Sequence, residues 1–212
     1  MSDATLLVPW WRTISRRVQE RDVRRLVWYG HSRVALAGRG PLAGVFAERL
    51  PAIWADFARM TLGALIAFWL AAYALSWAFG LEPLFVYLAL GLFYSAQSAY
   101  YRYRLAADPN FRIPKCGCAK TPASVDTEKV LKSAEGELLP WVPNAMLATA
   151  LYAVLLALAW TGPLVAVGAL AAAACLSGAY LAYVMVFRIG SLCANCVNIG
   201  ALNVLVLCRA AL

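Results

Sequence analysis

The sequence predicts an all-α integral membrane protein with five transmembrane helices, preceded by an amphipathic region. Three observations predict it. Of 212 residues, 63% are hydrophobic and only 14% charged, where a soluble domain is about a quarter charged. Apolar runs of about 20 residues, the length that crosses a bilayer, recur along the chain. The net charge of +8 lies outside those runs. Anionic lipid and topology account for it there, and no nucleic-acid partner is implied.

Residues 1–57 read as an amphipathic membrane-surface region and 58–212 as the transmembrane domain. "PWWRTISRRVQERDVRRLVWYG" sets Trp10, Trp11, Ile14 and Val18 at helical spacing among arginines, the pattern of a helix lying in the interface. A disordered basic arm is the alternative. The stretch is basic and mixed, so no cleavable signal peptide is expected. "GRGPLAGVFAERLP" (38–51) predicts a Gly/Pro turn and then a second short surface helix. The first span is expected over 60–80, followed by the turn "LEP". The second covers 84–104 and ends in "YYRYRL", whose tyrosines and arginines suit the interface. Residues 105–139 form a polar loop with Cys116, Cys118 and a short helix, "DTEKVLKSAEGELL", capped by Asp126 or Thr127. The third span runs over 141–160 and the Ala/Gly-rich fourth over 164–187, which favours close packing. The fifth, 192–211, starts at a CxxC. Five crossings place the cysteine loop and the CxxC turn on one side.

Six cysteines are present. Cys175 and Cys208 fall within apolar runs and are expected to be small buried side chains. The others form two pairs, Cys116-Gly-Cys118 and Cys193-Ala-Asn-Cys196. At a helix start, free N–H groups and the positive dipole end stabilise a thiolate, so Cys193 is the better exchange nucleophile. Cys196 lies a turn deeper, nearer a lipid-soluble oxidant. A disulfide in CGC closes a small strained ring and accepts electrons readily. The pairs then read as a relay from substrate thiols through the loop pair and the membrane pair to a lipid-soluble acceptor. Alternatives are two buried thiols, an assembly subunit with inert cysteines, and soft-metal binding or transport through the four sulfurs. CxC is an unusual spacing for structural zinc, and His31 is remote. Val197 after Cys196 rules out the CxxCH of a c-type haem.

Four stretches resemble the vitamin K epoxide reductase family, membrane quinone-coupled thiol oxidoreductases. They are "VPNAMLATALYAVLL" (142–156), "YLAYVMVFRIGSLCANCVNIGALNVLVL" (180–207), "EKVLKSAEGELL" (128–139) and the loop cysteines before it. The resemblance covers about 84–212. It implies a four-helix bundle around a quinone pocket, with ubiquinone, menaquinone or a similar quinone as acceptor. It assigns exchange with substrate and with Cys193 to Cys116 and Cys118, and electron transfer to the quinone to Cys196. Asn144 matches the family's quinone-bonding asparagine, and Tyr152 falls two turns on, toward the same pocket. Ser133 and Asn203 match recurrent positions, the latter as interhelical glue. The partner implied is a thioredoxin-like protein or substrate thiols. Two departures stand out. Thr127 occupies the place of the family's second loop cysteine. Gly200 replaces an aromatic found in vitamin K-using members, which points to a generic quinone.

On this topology ten basic residues lie in the arm through Arg59, seven in the cysteine loop together with the end of the second span (Arg102 and Arg104) and one in the 188 turn, with only Arg209 opposite. The positive-inside rule therefore turns the cysteine site toward the cytoplasm, with a periplasm-facing site as the alternative. Typical family members face the periplasm or lumen. An inward-facing site suits a cytoplasm in which disulfides persist, as in hyperthermophiles.

Overall fold

The computed structural model describes residues 41–108, 110–114, 124–133 and 142–211, with side chains from residue 50 onward. The interfacial helix expected near the amino terminus, Cys116 and Cys118 lie outside the described residues. Contacts divide the chain into Met1–Glu48 and Arg49–Leu212. Of the first unit, residues 41–48 are helical. The fold below is that of the second.

The described residues form α1 (Pro41–Phe79), α2 (Pro83–Ala107), the short α3 (Thr127–Lys132), α4 (Asn144–Thr161), α5 (Leu164–Tyr183) and α6 (Ala194–Ala211). Four segments are long and apolar enough to cross a membrane: Leu50–Phe79, Asn144–Thr161, Leu164–Ile189 and Ala194–Ala211. The first begins ten residues before the expected span at 60. The Gly/Pro signal predicted a turn and a separate helix there, yet α1 runs unbroken through Pro51. A proline inside a helix removes one ladder hydrogen bond, and a long apolar helix can absorb that cost. Helix α2 is 25 residues long, but Gln97, two serines, two arginines and its tyrosines dilute its apolar character.

Helices α2, α4, α5 and α6 close a ring in which each touches two neighbours, and the α4–α5 seam is the loosest. Helix α2 runs antiparallel to α6 along its length. At one end Arg209 Nε donates to Glu82 Oε1 at 2.7 Å. At the other, Asn195 Nδ2 donates to Gln97 Oε1 at 3.0 Å. The centre is filled by Leu88, Tyr152, Leu155, Val167, Leu202 and Val206. Gly91 makes room for this packing. A Cβ there would overlap the Tyr152 ring, so only glycine lets α2 and α4 approach so closely. Helix α1 meets the ring through Phe68, whose centroid lies 5.6 Å from that of Tyr94. Its outward face carries Trp69, Leu70 and Trp77, as suits a helix solvated by lipid.

Helix α5 passes into a π-helical turn, Val184–Ile189, and stops at Gly190 with φ 63°. A left-handed residue favours glycine. The widened turn re-aims the chain into α6 at the CxxC, and such π-helical turns gather at functional sites.

Candidate functional site

Cys193 directly precedes α6 and acts as its cap, for its carbonyl accepts the Val197 N–H at 3.0 Å. Its Sγ accepts the Cys196 N–H at 3.2 Å, the bond a serine or threonine oxygen makes at an N-cap. The CxxC spacing is therefore the spacing from cap to third helical residue, which brings the two side chains together at the helix start. Both are free thiols. Cys193 is fully buried, at 0% exposure, while Cys196 is half-buried and faces a cavity. Hydrogen bonding from the Cys196 thiol draws the Cys193 thiol below its ordinary range. Burial opposes this, and the backbone N–H groups of Cys196 and Asn195 and the Thr127 hydroxyl assist it.

A loop segment covers Cys193. The Leu192 N–H donates to the Ser124 carbonyl at 2.8 Å, and the Asp126 N–H donates to the Leu192 carbonyl at 2.9 Å. This makes an isolated parallel bridge between Val125 and Leu192. Ser124 Oγ donates to Asp56 Oδ2 on α1 at 2.6 Å. Asp126 caps α3, its Oδ1 accepting the Lys129 N–H at 2.9 Å; of the two expected caps it is the one used. Arg102 on α2 donates to the Leu131 carbonyl near the end of α3. The loop past the CGC pair is thus tied to the same end of the bundle as the CxxC.

Beneath Cys196 lies a cavity of about 350 Å³, walled largely by apolar side chains of α4, α5 and α6. Asn144, the first residue of α4, and Ser133, the cap ending α3, line it. Tyr152 also lines it. The Tyr152 hydroxyl is buried and donates to Asn203 Oδ1 at 2.7 Å, and Asn203 Nδ2 donates to the Ala174 carbonyl at 3.3 Å. Asn203 therefore links α4, α5 and α6. Gly200 lines the cavity as well, and a Cβ there would meet nothing. Of the two cysteines expected to be buried, Cys208 is exposed and Cys175 is half-buried on the cavity wall. Periodicity could not assign their faces, because these helices are apolar all round.

Several site residues were not singled out by the sequence reading. Phe57 and Thr61 bring α1 into the cavity wall, and Asp56 holds the loop. Gly91 carried a usable signal: a lone glycine inside an aromatic-rich helix usually marks a close packing contact. Asp56 carried none, since an acid at the end of a basic arm reads as solvated. Among the described residues no group of three or more His, Cys, Asp or Glu side chains gathers.

With this geometry in view, comparison with known proteins gives one finding. The model of the vitamin K epoxide reductase family matches residues 82–211, well over half of the chain. No curated protein matches it.

Proposed function

Because the chain belongs to the vitamin K epoxide reductase family of membrane oxidoreductases, we propose that it oxidises thiols with a quinone as acceptor, making disulfide bonds in partner proteins. One observation carries this reading. The two cysteines lie together but in different surroundings, Cys193 fully buried beside the loop and Cys196 on the wall of an apolar cavity. A pair so placed can exchange thiols on one side and meet a lipid-soluble oxidant on the other.

The cavity suits such an acceptor. Its volume, about 350 Å³, falls in the range of small-molecule sites, about 300–1,000 Å³. Its walls match a ring and prenyl tail. Asn144 supplies a polar side chain at the edge, able to donate to a quinone oxygen. Tyr152 contributes its ring face, since its hydroxyl proton is engaged by Asn203.

The chemistry proceeds in balanced steps. Two substrate thiols, on a thioredoxin-like partner or the client itself, reduce the Cys116–Cys118 disulfide and are joined in a disulfide. Cys118 then attacks Cys193 of the Cys193–Cys196 disulfide, releasing Cys196 as thiolate toward the cavity. Cys116 attacks Cys118, restoring the loop disulfide and expelling Cys193. A leaving thiol with a lowered pKa departs faster, and Cys193 is such a thiol. The Cys193–Cys196 dithiol returns to the disulfide by passing two electrons and two protons to the quinone, which becomes quinol. Ser124, six residues beyond Cys118, is bonded to Leu192. Six residues reach at most about 20 Å, a length of chain that permits Cys118 to reach Cys193.

Five crossings fit this reading. Helix α2 is pinned to both ends of α6, so it traverses the same thickness as a helix apolar enough to span.

The test is direct. The purified protein is reduced, freed of reductant, and given a quinone under anaerobic conditions. The expected result is one quinol per disulfide regained, with Cys196→Ala abolishing quinol formation. Full quinol formation by Cys196→Ala would overturn the proposal.

A further inference from the structure

We propose that Thr127 is a positioning residue for Cys193, its hydroxyl donating a hydrogen bond to the sulfur from the loop side and holding it as the exchanging thiolate. The inference rests on the role given to Cys193 above and adds a residue to it.

The backbone fixes the juxtaposition. The bridge between Val125 and Leu192 is parallel, so the residues that follow on each strand advance together. Thr127, the first residue of α3, arrives beside Cys193 and Ala194, the cap and first residue of α6. The Ala194 N–H donates to Thr127 Oγ1 at 3.4 Å. That contact engages the oxygen as an acceptor and turns it toward the start of α6. A hydroxyl has one proton of its own to place. Cys193 Sγ, fully buried and already accepting the Cys196 N–H, is the acceptor against it, and the hydroxyl helps hold that thiol below its ordinary range. The anchors around Thr127 keep it there. Asp126 caps α3, and Ser124 is tied to Asp56 on α1.

Cys193 is thus held by hydrogen bonds from both sides, its own helix start below and the loop helix above. A buried thiolate is costly unless such donors reach it. The Thr127 donor is supplied by the loop, so displacing the loop would also remove part of what keeps Cys193 ionised.

The experiment compares the wild type with Thr127→Val, Thr127→Ala and Thr127→Ser. Each protein is reduced at full length in detergent. Alkylation of Cys193 is followed across pH by mass spectrometry of the peptide that carries it. Removing the hydroxyl, in both Val and Ala variants, is expected to raise the midpoint and lower the thiolate fraction below it by about tenfold, the scale of one hydrogen bond. Serine keeps the hydroxyl and is expected to keep the wild-type midpoint. An unmoved midpoint in Val and Ala, whatever happens to the melting temperature, would show that Thr127 only caps the Ala194 N–H and would overturn the proposal. An equal shift in the Ser variant would do the same. The readout needs no quinone, so a failure of quinone reduction in the wild type would strike the catalytic reading and leave this result separate.

Discussion

At the scale of single residues, Tyr152 and Asn203 form the most exacting contact in the bundle. Both are buried, and the hydrogen bond between them measures 2.7 Å. Tyr152→Phe keeps the ring and strands Asn203 Oδ1 in an apolar interior. Interhelical hydrogen bonds in membranes average about 0.6 kcal/mol, and an unsatisfied buried acceptor costs about 1–3 kcal/mol. The stranded acceptor therefore dominates. Tyr152→Phe is expected to lose about 1–2 kcal/mol by thermal unfolding in detergent, and adding Asn203→Leu is expected to recover most of it. Simple additivity of the two losses would show that the pair is not coupled. Cys193 gives a pH prediction. Its folded pKa is lowered, so its thiolate stabilises the reduced fold above the pKa of an unfolded thiol, about 8.5. That contribution is lost as pH falls through the lower folded value. Reduced wild type should therefore lose stability relative to Cys193→Ser as pH drops from 9 toward 6, read as the difference in melting temperature.

At the scale of elements, what the sequence could show follows from the solvent. Apolar length announced the membrane-crossing segments, and the cysteine spacing announced a helix start, because both signals are local. Which face of each helix turns inward was not legible. A helix in lipid is apolar on all sides, so Cys175, Cys208 and the cavity-facing side of α1 gave no periodic clue. Contacts such as Asp56 with Ser124, or Gly91 with Tyr152, join positions far apart in sequence and appear only once the helices are packed. Gly91→Ala drives a methyl into the Tyr152 ring and is expected to cost about 1–3 kcal/mol, as overpacking does. A wild-type melting temperature would show that α2 and α4 can separate without loss. Asp56→Ala removes the acceptor that anchors Ser124 to α1. It is expected to speed alkylation of Cys193 several-fold with little change in melting temperature. An unchanged rate would show that α1 does not hold the loop.

At the scale of the whole molecule, the charge count and the helix directions bear on orientation together. Among the described residues Arg59, Arg102, Arg104, Lys129, Lys132 and Arg188 lie toward the end that holds the cysteine site, against Arg209 at the other. We propose that this end faces the cytoplasm. The CxxC starts α6 and the chain leaves it at the opposite end, so reporter fusions at the carboxyl terminus should report the outer side. A cytoplasmic signal from them would put the redox site outside. Helix α1 lies almost wholly before the family-matched region and also walls the cavity through Phe57 and Thr61; in the proposed orientation its extra crossing would set the polarity.

The complete enclosure of Cys193 has a consequence for leakage. Small dissolved thiols meet a protein by random collision, and they strike an atom that presents no area to them only in the moments when its cover opens. Cys193 is therefore shielded from the soluble thiol pool, much as a sheathed wire is from its surroundings. Under the proposed thiol oxidation, exchange at Cys193 would fall to carriers that displace residues 124–127, and free thiols on that side would not short-circuit the flow of electrons toward the quinone.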